Sequence, residues 1–180
     1  MSDPLPTGWK LEPLRRLAQV VSGGTPSRYV PEFWEGGNIP WATPTDITST
    51  NGRFLHETRE HITELGLRSC SAKKMPPGTL LMTSRATLGE VRIALGEVCT
   101  NQGFKSLIPF KGIDGHFLYY QIGLNKERYK GFGIGSTFLE VKALRLNKCC
   151  KSGIAPWPNR VIPIAMKRLA HQVDRRPFFL

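Results

Sequence analysis

The chain has 180 residues, 40% apolar and 22% charged; this is about one domain's length with enough apolar content for a core, and it excludes disorder throughout. Its 18 Gly and 14 Pro put much of the path in turns and exclude a helical bundle. The net charge of +11 is uneven: residues 1–141 hold 16 Lys/Arg against 13 Asp/Glu, and residues 142–180 hold nine against Asp174 alone, so a nucleic-acid partner does not follow from total charge.

Leu5-Pro6-Thr7-Gly8-Trp9-Lys10-Leu11 reads as an extended lead-in, and Leu14, Leu17, Ala18 and Val21 follow at helical spacing. Ser22-Gly23-Gly24-Thr25-Pro26-Ser27 breaks regular structure. Residues 29–45 carry Pro31, Pro40 and Pro44 among Phe33, Trp34 and Trp41, which predicts an ordered loop whose aromatic burial offsets its ordering entropy. Thr63-Glu64 opens a short helix expected to run to Met75, where Pro76-Pro77-Gly78 halts it. Residues 79–83, 90–95 and 104–109 read as strands. Asp114 caps an amphipathic helix to about Lys130, ended by Gly131, Gly133 and Gly135. The longest apolar run, 117–124, is interrupted by Gln121 and Gly123 and falls short of the ~18 residues that a membrane span needs. No secretory pattern opens the chain, so the cytoplasm is the expected compartment.

Cys70, Cys99, Cys149 and Cys150 form no C-x-x-C pair, and His56, His61, His116 and His171 lack metalloprotease spacing, so no metal is expected. The glycine run at 131–135 follows a helix and lacks G-x-G-x-x-G spacing, which argues against a dinucleotide site, and no P-loop motif occurs. Glu57 and Glu60 beside Arg59 and His56 fit a solvated face better than an acid/base dyad. Four loops concentrate short hydrogen-bonding side chains: Thr25-Pro26-Ser27-Arg28, Thr43-Pro44-Thr45-Asp46, Thr83-Ser84-Arg85-Ala86-Thr87 and Thr100-Asn101-Gln102-Gly103-Phe104-Lys105-Ser106. Arg grips guanine bidentately, Asn and Gln amides match the adenine edge, and hydroxyls and Lys serve phosphates. Polar hairpin loops are the plainer alternative. The candidate DNA contacts are Thr25, Ser27, Arg28, Thr43, Thr45, Ser84, Arg85, Asn101, Gln102 and Lys105. Arg85 and Gln102 are expected at bases, and Thr25, Ser27, Arg28 and Lys105 at the backbone.

The order of these segments is what resembles a family. Leu5-Pro6-Thr7-Gly8-Trp9, the 22–27 loop, Ile39-Pro40-Trp41-Ala42-Thr43-Pro44-Thr45-Asp46-Ile47, Ser84-Arg85-Ala86-Thr87-Leu88-Gly89, the 100–107 segment and Gly135-Ser136-Thr137-Phe138 resemble, in sequence, one target recognition domain of the specificity subunit of type I restriction-modification systems. The resemblance covers about residues 5–141. It implies a mixed α/β (α+β) domain with a curved, largely antiparallel sheet and flanking helices, reading one half of a bipartite site in double-stranded DNA. It also implies partners: modification subunits that methylate adenine with S-adenosylmethionine, and restriction subunits that use ATP. The chain itself is then no enzyme and needs no cofactor.

Family members carry two such domains, each followed by a long helix introduced by a Pro-Leu-x-Glu-Gln stretch, whereas here Ala155-Pro156-Trp157-Pro158-Asn159-Arg160 stands at that place. Joining the third base of each codon to the next two lets this segment spell Pro-Leu-Ala-Glu-Gln. A frameshift between about residues 142 and 156 is therefore expected, with 142–180 a basic, poorly ordered tail whose charge is accidental; sequencing the gene decides this. A homodimer would restore two recognition domains. The competing readings are a non-functional remnant, a basic protein binding nucleic acid without preference through its tail, and a small hydrolase using Cys99 or Cys70.

Overall fold

The computed structural model describes residues 10–85, 87–126 and 152–154. Its main sheet begins where the helical spacing of residues 14–21 predicts a helix. Only one 3-10 turn forms, Leu14–Arg16, closed by the Leu17 amide on the Leu14 carbonyl at 2.8 Å. The chain then becomes strand β2, Ala18–Ser22. The β-branched pair Val20-Val21 favours extended backbone, and β9, Lys105–Pro109, pairs antiparallel along the whole of β2, from Ala18 opposite Pro109 to Ser22 opposite Lys105. Tertiary pairing thus overrides the local spacing.

The sheet continues through β6, Leu80–Met82, and β7, Val91–Ala94, to β4, Phe54–Leu55, in the order β2-β9-β6-β7-β4. All its pairings are antiparallel except β4 with β7. Both faces are buried, as the uninterrupted apolar run of β6 requires. Leu80 and Met82 join Leu14, Leu17, Leu107, Leu118 and Tyr120 on one face; Leu81 joins Val21, Ile47, Met75 and Phe104 on the other. Helix α3, Gly115–Leu124, contributes Leu118, Tyr119, Tyr120 and Ile122 to the first face. Its expected cap is present: the Asp114 carboxylate accepts from the amides of His116 at 2.7 Å and Phe117 at 3.1 Å. The helix is shorter than expected: it ends at Leu124 with Asn125 as its C-cap, the Asn125 amide donating to the Gln121 carbonyl at 3.3 Å and the Ile122 carbonyl at 3.1 Å, and the expected stretch from residue 127 to Lys130 lies outside the described residues.

A second, three-stranded sheet is ordered β5-β3-β8, with β3 at Ile39–Ala42, β5 at Glu60–Ile62 and β8 at Cys99–Thr100. The 29–45 segment is therefore more than a loop. It holds a 3-10 turn at Pro31–Phe33, then β3, then helix α1 at Pro44–Ser49. Pro40 is tolerated because the parallel pairing of β3 with β8 starts only at Trp41, beyond the residue that lacks an amide proton. The expected 64–75 helix is shorter, α2 at Glu64–Arg68, capped by Thr63 Oγ1 on the Gly66 amide at 3.0 Å. It stops because Ser71 and Ala72 pack against the backbone of Gly24 and Met75 bridges to Val98.

A two-stranded ribbon pairs β1, Lys10–Glu12, with β10, Ser152–Ile154. The rest of the expected 142–180 tail, the 131–135 glycine run and the lead-in before Lys10 lie outside the described residues. Among the described residues no helix is long and apolar enough to cross a membrane.

Candidate nucleic-acid interface

All four polar loops are brought together by backbone hydrogen bonds made by their own residues or the residues that adjoin them. The Gly24 amide donates to the Thr100 carbonyl at 2.9 Å, the Asn101 amide to Ala42 at 3.1 Å, and the Ser84 amide to Gly103 at 2.7 Å. This packing depends on missing side chains. A Cβ on Gly23 would lie 2.1 Å from the Thr100 carbonyl oxygen and 2.2 Å from that of Asn101, and one on Gly103 would lie 2.9 Å from Asn101 Oδ1 and 3.2 Å from Pro44. The 22–27 loop, the 100–103 turn, the start of α1 and the end of β6 therefore form one rigid cluster.

Within it, Thr25 Oγ1 donates to Gln102 Oε1, which fixes the amide orientation of the exposed Gln102. The carbonyl keeps a second lone pair and the NH2 faces away from Thr25, the donor-acceptor pair that an adenine edge needs. Asn101 is half-buried and holds the turn, Oδ1 accepting from the Gly103 amide at 2.8 Å. Thr43 is the N-cap of α1 in a capping box: its amide and hydroxyl both donate to Asp46 Oδ2 at 2.7 Å. Thr45 is exposed on the first turn of that helix. Arg85 is half-buried in the hairpin between β6 and β7, which Thr83 closes through its hydroxyl on the Thr87 carbonyl and the Glu90 amide on Thr83 Oγ1 at 3.1 Å.

Three expected contacts sit differently. Ser84 is fully buried. Lys105 is 7% exposed and its ammonium donates to Ser22 Oγ at 3.1 Å; its register puts it on the same face of β9 as Leu107. Arg28 is exposed but engaged, forming a two-pronged pair with Glu60 and lying 3.7 Å from the centre of the Trp34 ring. Ser27 is exposed near it.

Sequence reasoning missed Glu60, Trp34 and Trp41 as partners of the 22–28 loop, and Arg92. The buried Arg92 donates to the Thr50 carbonyl from Nε at 3.2 Å and from the terminal nitrogen at 2.8 Å, tying the C-terminal end of α1 to β7. Thr43 with Asp46 three residues on was a readable capping signature; the other pairings link distant segments and left no local signal.

Cys99 is no activated nucleophile. It is fully buried, its thiol donates to the Pro40 carbonyl at 3.2 Å, and burial, with a smaller contribution from Cys70, pushes it up to about 12, opposite to what a reactive thiolate requires. Among the described residues no three His, Cys, Asp or Glu side chains group as a metal site.

Residues 6–149 match the family described as the type I restriction modification DNA specificity domain. The chain is 37% identical over 146 residues to the type I restriction enzyme MjaIX specificity subunit of Methanocaldococcus jannaschii, covering 80% of this chain and 34% of that protein. It is 32% identical over 119 residues to the EcoR124I/EcoR124II specificity subunit of Escherichia coli, covering 64% of this chain and 28% of that one. The chain thus spans about a third of the length of these relatives. The fold is similar to the crystal structure of the HsdS subunit from Thermoanaerobacter tengcongensis, with a TM-score of 0.64 at 20% identity, over 97% of this chain and 38% of that chain. By sequence match over most of its length, the chain belongs to the type I restriction modification DNA specificity domain family.

Proposed function

We propose that the chain reads a short base sequence in duplex DNA, one half of a bipartite site, and carries out no bond-making of its own. The observation that carries this reading is the pair of half-buried Thr25 and exposed Gln102 on a cluster whose loops are fixed to one another by backbone bonds and glycine contacts. An amide held in one orientation on a rigid frame discriminates bases, because a wrong edge leaves its donor or acceptor unpaired. Gln102 and Arg85 take base edges, and Ser27 and Thr45 take phosphates. Thr43, Ser84, Asn101 and Lys105 hold the frame.

Recognition belongs to residues 1–141, and the basic 142–180 segment adds uniform, salt-dependent attraction. The working assembly contains methyltransferase subunits and, through them, a restriction subunit, in the cytoplasm. A homodimer would set two copies of the domain on one duplex, and its site would then be palindromic.

Selection from random duplexes by the full chain, with and without co-expressed methyltransferase subunits, tests the proposal. The expected result is a short preferred sequence, with Gln102→Ala relaxing one or two positions by ~1–3 kcal/mol. Binding with no preferred sequence would overturn it, as would loss of all binding on deletion of residues 142–180, which would favour the non-specific basic protein.

A further inference from the structure

We infer that Arg28 is a positioning residue: clamped by Glu60 and stacked on Trp34, it sets the pose of the 22–28 loop and thereby the sequence discrimination of Gln102, without touching DNA. The inference rests on the DNA-reading function proposed above.

The 22–28 loop is held at three successive points. Trp41 Nε1 donates to the Gly24 carbonyl at 3.0 Å, Trp34 Nε1 donates to the Ser27 carbonyl at 2.9 Å, and the Arg28 guanidinium pairs with both Glu60 oxygens, the second at 2.9 Å. These anchors also contact one another. The two indoles meet edge to face at 5.1 Å and 87°, the guanidinium lies 3.7 Å from the Trp34 ring and 5.0 Å from the Trp41 ring, and Glu60 is in register with Trp41 across β5 and β3. Thr25, which orients Gln102, lies between the first two anchors in the chain.

A phosphate contact fits this geometry poorly. Two of the five N–H donors are on a carboxylate and one face is on an indole, so a phosphate is left only the remaining N–H groups of an already partnered cation. The Glu60 charge neutralises the arginine locally and opposes an approaching anion, so the pair as a whole has little charge with which to release counterions. The Glu60 hydrogen bond also raises the arginine's already high affinity for its proton, in keeping with a partnered cation. An exposed pair of ordinary geometry contributes little, whereas a planar two-pronged pair stacked on a ring defines an orientation that lysine does not reproduce.

The two roles predict opposite responses at Glu60. In the full chain, Glu60→Gln and Arg28→Lys are expected to lose about tenfold discrimination between the selected duplex and a scrambled one, with the salt slope of binding unchanged. Both variants should also speed amide hydrogen exchange across 22–28, with exchange in β6 and β9 unaltered. If Arg28 instead contacts a phosphate, Glu60→Gln tightens binding to both duplexes and Arg28→Ala lowers the salt slope by ~0.9 at constant discrimination; that result overturns the inference. Unchanged exchange across 22–28 in both variants overturns it without any DNA measurement. A wild-type chain lacking discrimination would instead sink the function itself, while the exchange result still decides the clamp.

Discussion

The two sheets are held together by different means. The five-stranded sheet has strands of up to five residues in continuous register and aliphatic side chains packed on both faces. The three-stranded sheet has strands of two to four residues, and its surroundings are fixed by indole hydrogen bonds, a capping box, an arginine clamp and glycines that let backbones touch. Burial scales with area and is indifferent to direction, so the large sheet supplies stability. Hydrogen bonds contribute less net free energy but specify geometry, so the small sheet and its loops supply pose.

The largest expected effect tests that division. Leu107, fully buried at the centre of β9, packs among Leu80, Leu118 and Leu17; Leu107→Ala should lower global stability by ~2–5 kcal/mol. Trp34→Phe keeps an aromatic side chain at this half-buried position but trims the indole and removes the donor to Ser27, and should cost only ~0.5–1.5 kcal/mol for the lost hydrogen bond while loosening the 22–28 loop. Urea denaturation compares the two. Equal shifts in midpoint would mean that the small sheet is as much a part of the global core as the large one, and the division would fail.

A smaller effect is expected at Gly23, where the two regions meet at the end of β2. An alanine Cβ would fall 2.1 Å and 2.2 Å from two backbone carbonyl oxygens that no rotamer change can move. The 22–27 loop must then lift from the 100–103 turn, at ~1–3 kcal/mol, with the Thr25–Gln102 bond broken. Thermal melting should show a modest loss, and duplex selection a large one. A variant with wild-type discrimination would show that the loop's seat does not matter to reading.

The same division explains what was legible in the sequence. Strands expected at 79–83, 90–95 and 104–109 are found at Leu80–Met82, Val91–Ala94 and Lys105–Pro109, because apolar content between clear turn boundaries reports a buried strand. Strands β4, β5 and β8 are two or three residues long and none is an apolar triplet like β6, and α1 was read as a polar loop although its capping pair was visible. At the site, residue types were readable and directions were not. Thr25 and Gln102 are 77 residues apart and Arg28 and Glu60 are 32 apart, so nothing local announces either pair. Parity was the one unused signal: Lys105 and Leu107 are two apart in β9 and so share a face, which places Lys105 toward the core.

An effect that is absent at neutral pH concerns Cys99, at the heart of the small sheet among Ile39, Trp41, Ile62 and Ala72. Its thiol ionises near 9.0 when solvated and about 12 in the fold. A folded-state value above the unfolded one means that the unfolded chain alone sheds the proton between those limits, so the stability this group carries is complete below pH 9.0 and is lost as pH rises toward about 12. Wild type should therefore lose more stability than Cys99→Ala over that window, measured by urea midpoints at stepped pH. At neutral pH, alkylation mapped by mass spectrometry should label the half-buried Cys70 first and Cys99 only as the sheet opens. The rate at Cys99 then reports which sheet opens. Labelling at the global unfolding rate would tie the small sheet to the large one, and faster labelling would show that the pose-setting region opens independently while the aliphatic sheet stays shut.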